Sequence, residues 1–580
     1  MDPRIDENIA AGLEEVLEDD GRPSSKRSAA DVLVEIALER GEFFHAPDGK
    51  PYVSLNVGDH RETHPLRGAA FRDWLARSFY EEKRKAPGTQ AVQNALGVLA
   101  GEALYGGDER PAHVRLGGSD DVIYLDLGDP NWSIVEITAA GWTVGSGPAV
   151  RMRRPSGFAP LPVPVPDGSL DELRPFVNVA TEADFQLLVG FMVGALRPRG
   201  PYPVPVLHGE HGSAKSTTAR MMRNLLDPST APLRAQSREP RDLAVSAENS
   251  RVLAFDNLSH LPGWFSDALC RLATGGGFSV RTLYENAEET IFEAMRPVIL
   301  NGIEEIATRA DLLDRALILY LPTIKRRRSE KALWAAFERA RPRILGALLD
   351  AASCAMRNIS TTKLEVLPRM ADFAEWVVAA EPALPWQPGA FMRAYTDNRS
   401  AAHEIALEAS PIAGSVRQLA AQGFEGRAKD LLAAMNELVD ENTIRSKEWP
   451  KSPPAARNAL LRIAPDLRAI GVEIHVGDRR SPGPIRIRTQ ETVATVATVA
   501  NPLGERSVER RFDARHDGSG VGHDGWDDGS EGSDSAPDDG SDGSDGSLRS
   551  HSHGANRFDE ATDEQLDLAD RIVERHGGAA

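Results

Sequence analysis

Val204-Pro-Val-Leu-His-Gly-Glu-His-Gly-Ser-Ala-Lys-Ser-Thr217 is the stretch on which the reading of this chain turns. Its apolar half reads as a buried strand. Gly209 and Gly212 free the backbone to turn its amides toward phosphate oxygens, and a helix beginning near Lys215 adds the positive end of its dipole. In a phosphate-binding loop (P-loop) of this kind Lys215 reaches the β- and γ-phosphates of a nucleoside triphosphate such as ATP, and Ser216 ligates Mg2+. Glu210, His211, Ser213, Ala214 and Thr217 complete the cradle. The usual pattern has Gly directly before Lys; here Ala214 fits unless that position needs positive φ.

Three further apolar runs follow at distances that suit neighbouring parallel strands. Arg251-Val-Leu-Ala-Phe-Asp-Asn257 ends in Asp256, a carboxylate placed to orient the magnesium at the carboxyl edge of a sheet. Arg296-Pro-Val-Ile-Leu-Asn301 ends in Asn301, a candidate sensor of the γ-phosphate or of the attacking water. Asp311-Leu-Leu-Asp-Arg315 leads into the run Ala316 to Leu321, so Arg315 is the arginine-finger candidate for a neighbouring subunit's nucleotide, with Arg309 second. A strand ending in Asp or Asn is by itself an ordinary start of a turn; the order and spacing carry the argument.

Between Asp256 and Asn301 lies Leu269-Cys-Arg-Leu-Ala-Thr-Gly-Gly-Gly-Phe-Ser-Val-Arg-Thr-Leu-Tyr284. With Thr274, Gly275, Gly276, Arg281, Tyr284, Asn301 and Arg315 in this order, the chain resembles the superfamily 3 (AAA+) helicases of the phage and poxvirus primase-helicase type over roughly residues 180 to 325. The resemblance implies a ring, expected to be hexameric, and a hairpin after Thr274 that grips DNA in the central channel, so that Arg281 and Tyr284 become DNA contacts. It also implies a mobile-element setting, phage or integrative element. Two positions depart from the pattern. Where the family usually has a second acidic residue stands Asn257, whose amide can orient a water but cannot take its proton, and Gly277 replaces the acidic residue of the Gly-Gly-acidic element.

The net charge of −19 is concentrated at one end: from His516 onward 17 acidic side chains face 4 basic ones. Repeats such as Asp539-Gly-Ser-Asp-Gly-Ser-Asp-Gly-Ser547 have almost nothing to bury, so a disordered acidic linker is expected over 491–556, followed by a short helix in 557–580 that could dock a separate primase or replisome protein. The most apolar run, Phe185 to Leu196, is far shorter than the ~20 residues a bilayer requires, and the acidic N-terminus does not resemble a signal peptide; a cytoplasmic protein without a membrane partner is expected. Cys270 and Cys354 are the only cysteines, too few for a disulfide framework.

The flanks complete an α/β architecture: a flexible N-terminus over 1–27, an N-terminal α+β domain over 28–175, a P-loop AAA+ ATPase core with a parallel sheet and flanking helices over 176–327, a helical lid over 328–410, and a winged-helix domain over 411–490. The last is read from three helical patterns followed by the strands Val472-Glu-Ile-His-Val476 and Pro484-Ile-Arg-Ile-Arg488. Between 427 and 488 there are 12 basic and 8 acidic residues, a local positive balance in which Lys451, Arg457, Arg462, Arg479 and Arg480 are suited to phosphate contact. The expected function is an ATP-dependent helicase or translocase acting on single-stranded or forked DNA. Two alternatives stand beside it: a nucleotide-gated DNA-binding switch or initiation scaffold with little hydrolysis, and a defence or packaging ATPase.

Overall fold

Four apolar runs become the strands of a parallel sheet, in the spatial order Leu253–Leu258, Val298–Gly302, Val204–His208, Ala316–Tyr320. Both faces are covered, which is why the strands read as nearly continuous hydrophobic runs. Alternate side chains serve different layers. Val204, Val206, Leu253, Phe255, Val298, Leu300 and Ile318 pack with the helix Gly263–Thr274, while Leu207, Ala254, Ile299, Leu317 and Leu319 join a larger core with the helices Lys215–Leu226, Glu182–Ala195 and Glu330–Asn358. The Val204 strand lies inside the sheet, so the loop that leaves it opens at the carboxyl edge where α/β proteins place their ligands. This computed structural model describes residues 27–147, 150–276, 278–281, 289–292, 294–302, 309–325, 327, 329–477 and 483–489.

Upstream, the helix Ala29–Arg40 starts at a reciprocal cap between Ser28 and Asp31. The strands Gly41–His45, Pro51–Val57 and His60–Pro65 form an antiparallel meander, and the helices Ala69–Lys83 and Thr89–Gly101 supply its core through Phe71, Leu75, Val92 and Leu99. A second antiparallel sheet runs Leu116–Gly118, Ile123–Asp126, Ile134–Thr138, Gly141–Gly145. Its apolar residues Leu125, Val135 and Ile137 belong to the larger core of the parallel sheet. Ser353 donates to the Thr138 carbonyl at 2.7 Å and the Trp142 indole to Asp350 at 2.8 Å, fixing this sheet to the helix Glu330–Asn358.

The junction is organised by a buried arginine. Arg115 has no exposed surface. It donates to Asp227 Oδ1 at 3.1 Å and to the carbonyls of Asp126, Ala159 and Pro228 at 2.8, 2.6 and 3.2 Å, and it stacks on Phe158. Asp227 in turn accepts from the backbone amides of Arg251 and Val252 at 2.9 and 3.1 Å, so one carboxylate joins the antiparallel sheet to the start of the Leu253 strand.

Nearby, the His113 ring lies against Gly117, where an added Cβ would stand 2.4 Å from the imidazole. Burial, reinforced by the charges of Arg296, Arg251 and Arg199, holds His113 down at about 4, below its ordinary 6.5. The folded state therefore keeps the ring neutral while the unfolded chain protonates it. Stability from this site is complete above pH 6.5 and declines as pH falls toward 4, by at most roughly 3 kcal/mol. In urea unfolding, the fall in stability between pH 7.5 and pH 5 should be smaller for His113→Asn than for the natural chain; equal falls would contradict this assignment.

Downstream, the helices Glu330–Asn358, Ala371–Ala380 and Ala390–Glu408 pack beside the parallel sheet. The segment after them holds the helices Ala413–Gln422, Ala428–Glu437, Glu441–Arg445 and Pro453–Ala469 and a three-stranded antiparallel sheet in the order Phe424–Gly426, Ile485–Thr489, Val472–His475. Val416, Leu431, Trp449, Leu460, Leu467, Ile474 and Ile487 form its separate core. Among the described residues no helix is long and apolar enough to cross a membrane.

Candidate functional site

The loop Gly209–Ala214 leaves the Val204 strand and feeds directly into the helix Lys215–Leu226. Lys215 is 6% exposed, and its ammonium donates to the Gly209 and Glu210 carbonyls at 2.8 and 2.7 Å and to Ser213 Oγ at 3.3 Å. Gly212 adopts φ +76, and Ala214, at the N-cap, adopts φ 60 and ψ 28. The position before Lys215 thus needs the left-handed conformation, at a cost of roughly 1 kcal/mol to any residue with a Cβ. Alanine tolerates it because its methyl is small and buried. Ala214→Gly should leave stability within roughly 1 kcal/mol, relief of strain offsetting the lost methyl, whereas Ala214→Val should cost 2 kcal/mol or more. Thermal unfolding of the two variants side by side checks this.

The ends of three elements meet beside the loop. Ser216 Oγ donates to Asp256 Oδ1 at 3.0 Å, and the Asn301 amide donates both to Ser216 Oγ at 3.1 Å and to Asp256 Oδ1. Asp256 and Asn301 sit at the carboxyl ends of adjacent strands, and Ser216 in the first turn of the helix, so the sheet topology alone makes them neighbours. Asn301 Oδ1 is buried without a hydrogen-bond partner among the described residues. A serine hydroxyl, a carboxylate and a spare carbonyl oxygen form a hard-oxygen set of the kind a small divalent cation takes.

Asn257 is exposed at φ 55 in an irregularity of the strand pairing, and no hydrogen bond joins it to this group among the described residues. Glu210 is exposed and accepts from Thr323 Oγ1 at 3.1 Å; His211 is exposed and Thr217 buried. One loop-supporting residue was not legible from sequence. Asn178 donates to the Ser213 and Pro322 carbonyls at 3.0 and 2.6 Å, bracing the loop from a segment with no motif of its own.

Arg315 stands elsewhere. Its carbonyl accepts from the Val204 amide at 2.9 Å, and Ala316 is in register with Val204, so it sits at the amino edge of the sheet while the loop sits at the carboxyl edge. Its guanidinium donates to the Asp311 carbonyl at 2.6 Å. Arg309 pairs with Asp267 at 2.7 Å, and Asp314 is held by both Arg369 and Arg399.

Thr274 Oγ1 bonds the Cys270 carbonyl at 2.9 Å to close its helix, and Gly275 and Gly276 follow at φ 82 and 131, conformations that select glycine. The strands Phe278–Arg281 and Glu289–Phe292 then pair antiparallel. Arg281 ends the first of them; Tyr284 lies outside the described residues.

In the C-terminal segment, Arg427, Pro453, Arg457, Asn458 and Gly477 line a groove of about 740 Å³. Arg457 donates to the Gly477 carbonyl at 3.0 Å at the base of the turn between the last two strands, Lys451 reaches the Ile444 carbonyl, and Arg462 is exposed. Arg479 and Arg480, and everything from residue 490 on, lie outside the described residues.

Residues 170–400 match the family model of the actinomycete integrative conjugative element replication protein, and residues 412–501 match the model of the C-terminal domain of the same RepA family. The chain belongs to the AICE RepA family. The mobile-element setting expected from sequence is the setting of this family, which makes the chain a replication protein. The two matched regions take in the parallel sheet with its flanking helices and the separate C-terminal core. Among solved structures, the A-form apo structure of the NrS-1 C terminal region is 11% identical, covering 79% of this chain and 98% of that one with a TM-score of 0.35. Another apo structure of that region is 10% identical, covering 81% and 100%, with a TM-score of 0.33. No curated protein matches the chain.

Proposed function

We propose that this replication protein is an ATP-dependent DNA motor whose copies assemble into a ring, with a P-loop of AAA+ type as its nucleotide site. The observation that carries the reading is the convergence of Ser216, Asp256 and Asn301 within hydrogen-bonding distance beside the Lys215 loop. Magnesium, when bound there, supplies positive charge to the β- and γ-phosphates; Ser216 and Asp256 are the residues that would hold it. Lys215 exchanges the loop carbonyls for phosphate oxygens, the Gly209–Ser213 backbone wraps the phosphates, and Asn301 positions the water or the terminal phosphate.

Arg315 cannot serve its own chain's nucleotide, since the length of the strand Ala316–Tyr320, roughly 3.3 Å per residue, lies between it and the loop. It is an arginine for the site of a neighbouring copy, which is the reason to propose a ring. The C-terminal segment is read as a winged helix, with Lys451, Arg457 and Arg462 on its DNA side and the groove at Arg427 and Arg457 accepting backbone phosphates.

A second reading, a nucleotide-gated DNA-binding switch, is favoured by one observation. Asn257, the residue beside Asp256, is not acidic, and among the described residues no hydrogen bond joins it to the Ser216 group. ATP turnover by the full chain with and without single-stranded DNA separates the two. DNA-stimulated hydrolysis that Arg315→Ala abolishes without loss of ATP binding supports the motor; tight ATP binding with no turnover on any DNA supports the switch.

A further inference from the structure

We infer that Arg327 is a phosphate-binding residue of the chain's own nucleotide site, acting on the terminal phosphates of a nucleoside triphosphate. The inference rests on the phosphate-loop reading above.

Past Tyr320 the chain does not leave the site but runs back along the loop. The Leu321 amide donates to the His208 carbonyl at 2.8 Å and the Ile324 amide to the Gly212 carbonyl at 3.2 Å. Thr323 reaches Glu210, and Asn178 clasps the Ser213 and Pro322 carbonyls together. Loop and returning segment are therefore one laced unit, and it delivers Lys325 and Arg327 to the loop's mouth.

Gly212 shows where Arg327 goes. A Cβ added at Gly212 would stand 2.3 Å from Arg327 Nη2, so the guanidinium lies directly on the loop backbone. At φ +76 Gly212 is also a position that selects glycine on conformational grounds.

The guanidinium is exposed, and no hydrogen bond or ion pair joins it to a described residue. Among the described residues, Glu210 on the loop is engaged by Thr323, and Glu330, three positions on in the chain, by Arg220 at 2.9 Å and by the Trp334 indole at 3.1 Å. A planar five-donor cation lying beside the loop backbone at Gly212 is matched to a polyphosphate, whose oxygens it takes two at a time. Because Gly212 lies midway along the loop, between the strand and Lys215, the contact falls on the outer phosphates rather than on the base. Arg327 acts in its own chain, from the carboxyl edge of the sheet, and is distinct from Arg315 at the amino edge.

The test is equilibrium binding of ATP and of ADP, each with Mg2+, to the full chain and to its Arg327→Gln, Arg327→Lys and Lys215→Ala variants. Arg327→Gln should weaken ATP about tenfold, the usual order for one charge-assisted contact, with a smaller effect on ADP, and Arg327→Lys should recover part of the loss. Arg327 is exposed, so its melting temperature should match that of the natural chain and the loss is not one of folding. Arg327→Gln binding ATP as the natural chain does, while Lys215→Ala abolishes binding, overturns the role of Arg327 and leaves the phosphate loop standing. Failure of the natural chain to bind either nucleotide overturns both.

Discussion

Lys215→Ala should abolish nucleotide turnover, by a factor of a hundred or more, while leaving the chain folded. The ammonium is enclosed by the loop, where it donates to two carbonyls and a hydroxyl at 2.7 to 3.3 Å, and on the phosphate-loop reading it exchanges these for phosphate oxygens. Removing one enclosed donor from a preorganised anion site ordinarily costs about 10² to 10³ in rate. The same change leaves the Gly209 and Glu210 carbonyls without this donor, and solvent at the half-exposed loop can replace it, so the cost in stability should stay near 1 kcal/mol. Turnover and thermal unfolding measured on one preparation decide the matter. Activity within threefold of the natural chain would remove Lys215 from the chemistry, and a collapse in melting temperature would make it structural.

Asp227→Ala should have the largest effect on folding. Asp227 is 3% exposed and accepts from Arg115 and from the backbone amides of Arg251 and Val252, with Arg223 at 3.7 Å. Burial pushes the Arg223 guanidinium down to about 10 and lowers that of Arg115 as well, with Asp227 the leading charge opposing both shifts. Deleting the carboxylate strands buried cations and amides together, a class of change that costs 3–5 kcal/mol. Asp227→Asn keeps an acceptor for the amides and should lose less. Urea unfolding of the two variants provides the check, and a loss below about 1 kcal/mol for Asp227→Ala would show that the junction between the antiparallel and parallel sheets is held by apolar packing alone.

Local chemistry made much of the core legible. The four strands of the parallel sheet fall on the four apolar runs because burial on both faces requires runs of that kind, and the helix at Lys215 begins where the glycine-rich turn ends. The glycines after Thr274 mark a real conformational demand, since both adopt positive φ. Ala214 was ambiguous in sequence for a reason the structure makes plain. A methyl is just small enough to sit at φ 60, so the letter at that position does not reveal the conformation.

Other features had no sequence signal. The strands Gly41–His45 and Pro51–Val57 flank the turn sequence Pro47-Asp-Gly49, but the third strand of that meander, His60–Pro65, is polar or charged up to its final proline, with Thr63 alone buried, and no hydrophobic alternation announces it. The sheet around Ile123–Asp126 reads as part of an N-terminal domain, yet its apolar face is completed by the helix Glu330–Asn358 some two hundred residues later. Asn178, Asp227 and Arg327 each act through partners distant in the chain, and none sits in a motif.

The sequence by itself determined the strands of the parallel sheet, the glycine-rich turn and the residue types available at the strand ends, because propensity, alternation and backbone freedom are properties of short stretches. Tertiary structure alone decided that Ser216, Asp256 and Asn301 meet, that Arg315 stands at the edge of the sheet opposite the loop, and that Arg327 folds back onto Gly212. Those facts depend on which strand lies next to which, and strand order is set by the burial of whole faces, a sum over the entire core that no single stretch contains.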